Sequence, residues 1–208
     1  MRQPLRMLLV LAFCFIASST AAAATLYDAT LGTLPTAQGW AYSENMSGTT
    51  QTAGGGVTAF DTTANALIMA GYAWPPSLVF DRNAGYAIAF DVRVTAESHS
   101  STDRAGFSLI SLDKDMKGIE LGFWQDHIWA QNYATGALFT HGEDAAYNTA
   151  AAITRYTLSV DSANYYLRAG SDPTPILSGP LRDYTASGLP PYNTPNMQIG
   201  RASCRERV

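Results

Sequence analysis

The side chains best suited to chemistry lie close together in the stretch Gly118–Asn132, GIELGFWQDHIWAQN. They are a carboxylate, two indoles, an imidazole and an amide: Glu120, Trp124, His127, Trp129 and Gln131. Indoles can stack on sugar rings, and the polar groups can hydrogen-bond sugar hydroxyls. We interpret these five residues as a candidate carbohydrate-binding set. The alternative is that a loop covers this face and the indoles only pack, since aromatic side chains suit pleated sheets in any case.

Common catalytic signatures are absent from the sequence. The E-x-D-x-x-E pattern of jelly-roll glucanases does not occur, and neither does a G-x-S-x-G nucleophile elbow. Glu120 could meet a second carboxylate across a sheet, as glycoside hydrolysis requires, but a solvated or Arg-paired carboxylate is the simpler interpretation. His99, His127 and His141 lack the H-E-x-x-H spacing of a zinc site. We expect a non-enzymatic protein, with a jelly-roll glucanase or lyase as the alternative.

No cofactor is predicted, and calcium is the one metal considered. Asp113 and Asp115, followed by Gly118 and Glu120, faintly resemble an oxygen-ligand loop. The fifth position of such a loop needs Asp or Asn, whereas Lys117 stands there and would repel the ion. We interpret the segment as a charged β-turn, and calcium ligands elsewhere are not located by the sequence.

The candidate residues need a β-hairpin to position them. Apolar residues alternate on both sides of Gln125-Asp126, which predicts two strands joined by a two-residue turn. The expected cross-strand pairs are Trp124–His127, Phe123–Ile128, Gly122–Trp129, Leu121–Ala130 and Glu120–Gln131. One face then holds an apolar core set, namely Ile119, Leu121, Phe123, Ile128 and Ala130. The other face holds the five candidate residues, and a one-residue slip would exchange the two faces.

Short alternating segments with Gly and Pro turns recur along the chain, and no sustained 3.6-residue periodicity occurs beyond the N-terminus. This pattern favours an all-β fold, an antiparallel β-sandwich. Further strands are predicted at Val57–Asp61, Ala66–Met69, Tyr86–Val94, Gly106–Leu112, Arg155–Val160, Tyr165–Arg168 and Ile176–Tyr184. Asn45–Gly56 is predicted as a loop, and Tyr133–Asn148 as a long, partly irregular connection.

The N-terminus has the composition of a secretory signal peptide. Arg2 and Arg6 flank the start of an apolar run, Met7–Ile16, that is too short to span a bilayer. Alanines at 21–24 offer cleavage sites. We predict a signal peptide over 1–24, a single domain over 25–197 and a secreted or surface-anchored location in a bacterial envelope. No later run in the chain is apolar enough to cross a membrane.

The C-terminal residues change character abruptly. Ile199–Val208, IGRASCRERV, resembles the in-frame translation of a short-read sequencing adapter, ATCGGAAGAGCGTCGTGTAGGGAAAGAGTGT. The preceding AG of the adapter would complete a CAG codon for Gln198. We expect the natural sequence to be represented to about Met197 and 198–208 to be an adapter-derived tail; a genuine basic tail is the alternative.

Both ends affect the composition of the domain. The whole chain has 13 Lys+Arg and 17 Asp+Glu. Removing the five arginines and one glutamate of the two ends leaves 8 basic and 16 acidic side chains, a net charge near −8. Because the remaining basic residues form no cluster, nucleic-acid binding is not expected. Cys14 and Cys204 also lie in the ends, so no disulfide framework is expected in 25–197.

Several short motifs occur in an order similar to that of a known family. They are LYDATLGTLPTAQGW at 26–40, RAGFS at 104–108, GIELGFW at 118–124, IWAQ at 128–131, PLRDY at 180–184 and PPYNTPN at 190–196. Together they resemble the bacterial choice-of-anchor domain proteins, of the type labelled Y. The resemblance implies an exported concanavalin-A-like or laminin-G-like jelly roll with a C-terminal sorting signal, of which PEP-CTERM is one kind. It implies no catalytic residues, and it leaves the anchor type and the last strand open.

These observations lead to one expectation about function. We expect an exported, surface-anchored and non-enzymatic β-sandwich whose partner is polysaccharide or extracellular matrix. A purely structural role in the matrix is the alternative.

Overall fold

The structure is a computed structural model that describes residues 23–65, 68–75, 79–97, 106–132, 140–188 and 190–200. Two short 3-10 turns, Ala29–Leu31 and Pro35–Gln38, precede the strands. In the described ranges the strands are β1 (Ala41–Glu44), β2 (Thr50–Gly54), β3 (Val57–Asp61), β4 (Ala70–Ala73), β5 (Tyr86–Val92), β6 (Phe107–Leu112), β7 (Lys117–Phe123), β8 (His127–Gln131), β9 (His141–Ala146), β10 (Thr154–Asp161), β11 (Asn164–Ala169), β12 (Leu177–Pro180), β13 (Arg182–Asp183) and β14 (Asn196–Gly200).

The strands form two main antiparallel sheets and a separate hairpin. The large sheet has the order β1-β4-β14-β6-β7-β8-β9, and β13 also pairs with β7. The small sheet has the order β12-β11-β10-β5, and β2 pairs with β3. The chain therefore has the all-β, antiparallel β-sandwich fold that the alternating segments predict. The last described strand, β14, lies inside the large sheet between β4 and β6.

The core lies between the two sheets. The predicted core set of the central hairpin, Ile119, Leu121, Phe123, Ile128 and Ala130, is fully buried. It packs against Tyr156, Leu158 and Leu167 of the small sheet within one apolar cluster. Phe123 meets the ring of Tyr156 edge-on, with ring centres 5.2 Å apart. The prediction that this hairpin face is a core face is confirmed.

The β2–β3 hairpin packs at the β1–β4 end of the large sheet. Phe60 of β3 contacts Tyr42 and Tyr72 through ring centres 6.5 Å and 5.8 Å apart. The Tyr27 hydroxyl also hydrogen-bonds that of Thr58. This hairpin thus covers the part of the large sheet where β1 and β4 lie.

The opposite face of the large sheet, which we call the outer face, is covered by chain from 184–195, the cover segment; residue 189 lies outside the description. Tyr184 and Tyr192 stack with their rings 5.1 Å apart and 8° from parallel. They pack on Ile110 and Leu112, forming a second apolar cluster. The large sheet is therefore buried on both faces at its centre.

Several strand predictions need correction. The strand predicted at Ala66–Met69 is found instead at β4, beginning at Ala70, and residues 66–67 lie outside the description. The predicted loop 45–56 contains β2, and the predicted irregular connection 133–148 contains β9. β2 and β9 are polar and half-exposed, so they lack the apolar alternation that marks the predicted strands.

The predicted ends fall largely outside the described residues. This applies to 1–22 of the predicted signal peptide and to 201–208 of the predicted tail. Gln198–Gly200 are described and pair with β6 through backbone hydrogen bonds, which depend little on side-chain identity. Within the described ranges, no helix has the length and apolar character needed to cross a bilayer.

One glycine of the central hairpin should be intolerant of any side chain. A Cβ on Gly122 would lie 2.4 Å from Cε2 of Trp129, inside the van der Waals limit. We predict that Gly122→Ala lowers the free energy of unfolding by about 1–3 kcal/mol, the usual cost of overpacking. Gly54→Ala is the matched control, because nothing lies within 4 Å of its Cβ position. Equal urea-denaturation midpoints for both variants would contradict the packing described here.

Candidate functional site

The predicted hairpin register is observed. Leu121 pairs with Ala130, Gly122 with Trp129 and Phe123 with Ile128. The Trp124 amide donates to the His127 carbonyl at 2.9 Å, which closes the two-residue turn. The five candidate residues therefore follow the predicted alternation and share the outer face. Their accessibility differs, however, because the cover segment and β9 bury some of them.

Three of the five candidates are buried. Glu120 and Trp129 are each 1% exposed, and Gln131 is fully buried. Trp124 and His127, on either side of the turn, are part-exposed. The structure thus divides the candidate set into an inner part within the protein and an outer part at the hairpin tip.

Trp129 is enclosed by its neighbours. The imidazole of His141 stacks on it, with ring centres 3.9 Å apart and planes 17° apart. Trp124 meets Trp129 edge-on at 6.3 Å and His141 at 5.1 Å. Gly122 lies beneath the indole, as the cross-strand pairing predicts. The stacking surface of Trp129 is therefore already occupied by a side chain of the protein itself.

Glu120 is held beneath the cover segment. The Tyr192 hydroxyl donates to its Oε2 at 2.5 Å, and Ser108 also hydrogen-bonds the carboxyl. Burial raises the pKa of Glu120 to about 7, although both hydrogen bonds favour the charged form. The second carboxylate that glycoside hydrolysis would need is not among these described contacts.

Gln131 lies beside an internal ion pair. The Arg182 guanidinium donates from Nε to the Gln131 backbone carbonyl at 2.9 Å. Its Nη2 donates to the Glu143 carboxylate, which also accepts from the Tyr165 hydroxyl at 3.0 Å. This network joins β13, β8 and β9 to the small sheet. Among the described residues, the side-chain amide of Gln131 makes no hydrogen bond. Gln131 therefore takes part in this network through its backbone carbonyl.

The turn at the hairpin tip is braced by the chain that follows β9. Gln125 and Asp126 present their carbonyls to the amides of Thr149 and Tyr147, at 3.0 Å and 2.9 Å. The Gln125 side chain donates to the Thr95 carbonyl at 3.0 Å. These bonds explain how a Gln-Asp turn persists without the glycine such turns usually prefer.

A polar cleft opens beside this tip, and we call it the tip cleft. Its volume is about 670 Å³, and it is lined by Glu97, Gln125, Asp126, Ala146, Tyr147, Asn148 and Ala150. His127 does not line the cleft but contacts Asp126, whose carboxylate lies 2.9 Å from the imidazole Nδ1. This hydrogen bond raises the pKa of His127, with further contributions from the charges of Asp126, Asp144 and Glu97. The cleft therefore offers carboxylates and amides, the groups that bind hydroxyls.

Comparison with protein-family models, with curated proteins and with solved structures finds no match for this chain. The resemblance to choice-of-anchor domains and the jelly-roll topology therefore stay predictions. Function has to be argued from the geometry of the chain itself.

The described residues also offer little to a metal ion. No group of three or more His, Cys, Asp or Glu within the described ranges is arranged to hold one. In the turn considered for calcium, Asp113 is buried and accepts from the amides of Asp115 and Lys117 at 2.8 Å and 2.9 Å. Its other oxygen lies 2.9 Å from Arg82 Nε. Protein groups thus occupy both carboxylate oxygens.

Sequence reasoning missed most of the tip cleft. Tyr147 and Asn148 fall in the connection predicted to be irregular, and Glu97 begins a polar loop on a different part of the chain. No spacing rule links these positions to Asp126, because they meet only through the fold. His99, named with the other histidines, lies outside the described residues.

Glu120 should make stability depend on pH. Its pKa is 4.5 in an unfolded chain and about 7 here, so the folded state holds this proton more tightly. The resulting stabilisation is present at low pH and is lost as the pH rises towards 7. We predict that the free energy of unfolding falls by about 2–3 kcal/mol between pH 5 and pH 8 from this carboxyl.

Urea denaturation at the two pH values would measure this fall in wild type and in Glu120→Gln. The variant keeps the size of the side chain and an acceptor for Tyr192, so it should lose most of the pH dependence. An unchanged dependence in the variant would show that another group is responsible.

The two indoles should contribute unequally to stability. Trp129 is buried, so Trp129→Ala is expected to cost about 3–5 kcal/mol. Trp124→Ala should cost clearly less, because part of its indole is already exposed to water. Thermal and urea unfolding of both variants would measure the difference. A Trp129→Ala protein as stable as wild type would contradict the enclosed position of this indole.

Proposed function

We propose that this protein is an exported, surface-held β-sandwich that acts by binding neutral polysaccharide of the envelope or extracellular matrix. The observation that carries the proposal is the tip cleft, whose side chains are those that accept and donate hydrogen bonds to hydroxyl groups. Export is supported by the signal-like composition of residues 1–24. The surface-held location follows the resemblance to choice-of-anchor proteins.

The chemistry of the cleft suits an uncharged, hydroxyl-rich ligand. Glu97 and Asp126 are anionic acceptors, and Gln125 and Asn148 add amides that both donate and accept. Two carboxylates would repel an acidic polymer, so a neutral one is favoured. The volume of about 670 Å³ belongs to an open surface cleft and not to an enclosed cavity, a shape that admits part of an extended polymer.

Part of the original candidate set supports this site. Trp124 and His127 flank the turn that supplies Gln125 and Asp126 to the cleft. Glu120, Trp129 and Gln131 are buried in the same hairpin and do not line the cleft. We assign them a packing role, and Trp129→Ala is consequently a test of stability and a poor test of binding.

A purely structural role in the matrix is the second candidate. The observation that favours it is the enclosure of Trp129 between Gly122 and His141, which leaves that indole no surface for a ligand. The two candidates differ in one respect. Only the binding proposal gives the tip cleft a measurable affinity.

Affinity electrophoresis and titration calorimetry against neutral glucans, mannans and galactans test the binding proposal. The double variant Asp126→Asn with Asn148→Ala should lower the association constant at least tenfold. Each lost hydrogen bond to a hydroxyl reduces the binding free energy by about 0.5–3 kcal/mol. The matched control is Asp161→Asn with Asn83→Ala, which makes the same changes at two exposed sites away from the cleft.

The control variant should bind as wild type does, and both variants should be folded at the temperature of the binding assay. Absence of binding by folded wild-type protein to every neutral polymer would leave the structural role as the better account. Equal losses in the two double variants would place the binding surface elsewhere.

A further inference from the structure

We propose that the exposed face of the small sheet is a second binding surface, which takes an acidic polysaccharide through Arg168 and Tyr166. This surface is separate from the tip cleft, and the ligand is of the opposite charge character. The proposal goes beyond the function proposed above and does not depend on it. Tyr166 and Arg168 lie two residues apart on β11, on this face.

The register of the small sheet brings particular residues into rows on this face. Tyr166 lies beside Ser159, which lies beside Ala87, and Arg168 lies beside Thr157, which lies beside Ala89. The two rows are about 6.6 Å apart along the strands. Residues alternating with these, such as Tyr156, Leu158 and Leu167, point into the core.

Arg168 is held in place over this face. Its Nε donates to the Pro173 carbonyl at 2.7 Å, and its Nη1 lies 3.5 Å from the Ser159 hydroxyl. Its Cζ is 5.8 Å from the centre of the Tyr166 ring, within the range of cation–π contacts. The guanidinium is thus oriented before any ligand arrives, which reduces the entropy lost on binding.

Arg168 makes no close ion pair with the described carboxylates. Most described basic side chains lie within 4.0 Å of a carboxylate, namely Arg82, Lys114, Lys117, Arg155 and Arg182. In the described part of the chain no such pair includes Arg168. Asp91 is already engaged by both Nε and Nη2 of Arg155, at 2.9 Å and 2.8 Å. The Asp172 carboxylate, next to Pro173, also lies near Arg168, and its Oδ1 accepts from the Thr174 amide at 2.8 Å.

Beside the Tyr166–Arg168 pair the face is open and flat. Ala87 and Ala89 are exposed and end at Cβ, and Thr157 and Ser159 carry hydroxyls. On these two rows a polymer meets no bulky side chain of β5 or β10, and the paired side chains of Arg155 and Asp91 bound the open part at the next row. A uronic-acid chain presents what these groups recognise: a carboxylate for the guanidinium, a sugar ring for the tyrosine, and hydroxyls for Thr157 and Ser159.

The test uses polygalacturonate, with its fully methyl-esterified form as the uncharged control polymer. Wild-type protein should bind polygalacturonate at low salt, more weakly at 0.5 M NaCl, and the esterified polymer at least tenfold more weakly. Arg168→Gln should lower the affinity for polygalacturonate at least tenfold. Lys114→Gln removes the same charge away from this face and should keep wild-type affinity.

A second variant keeps the test informative if Arg168→Gln unfolds. Thr157→Glu adds a negative charge to the open part of the face and removes none of the contacts of Arg168, so it should also abolish binding. The tip variant Asp126→Asn with Asn148→Ala should bind polygalacturonate as wild type does, which separates this surface from the tip cleft. No binding by wild type, binding unaffected by Thr157→Glu, or equal losses in Lys114→Gln and Arg168→Gln would overturn the proposal.

Discussion

The close approach of Gly122 and Trp129 across the central hairpin sets much of the architecture. Because Gly122 has no side chain, the indole can lie flat against β7. That position allows His141 to stack on its other side and so brings β9 to the sheet edge. The same register directs Leu121, Phe123 and Ile128 into the core. A one-residue change of register would move this core set to the outer face and Trp129 into the core, so the packing on both faces supports one alignment.

The large sheet is consequently a layer with packing on both sides at its centre. The small sheet covers one face, and the cover segment covers the other with its stacked tyrosines. A carboxylate placed in such a layer needs partners, and Glu120 finds them in Tyr192 and Ser108. The cost of burying it remains visible in its raised pKa. The outer face that alternation identifies as polar is thus mostly an interior surface.

This arrangement limits where a ligand can bind. With the centre of the large sheet covered on both faces, open polar surface remains at the hairpin tip and on the exposed face of the small sheet. The two differ in charge: Glu97 and Asp126 make the tip acidic, while Arg168 places a positive charge on the small-sheet face. In the two proposals made above, these surfaces take different polysaccharides.

Local sequence pattern was sufficient to predict the all-β class, the register of the central hairpin and the strands β5 and β10. Each of these depends on local alternation of apolar and polar residues, which is easy to recognise where large apolar residues such as Ile88, Phe123 and Leu158 recur. It did not reveal β2 or β9, whose half-exposed polar residues carry no such signal.

Which polar residues reach solvent depends on tertiary packing. Glu120 and Trp129 are buried by Tyr192 and His141, which are distant in sequence, so their accessibility could not follow from spacing. The tip cleft and the Tyr166–Arg168 surface arise for the same reason. Alternation along a strand assigns each side chain to a face, but whether that face meets water depends on what the rest of the chain places over it.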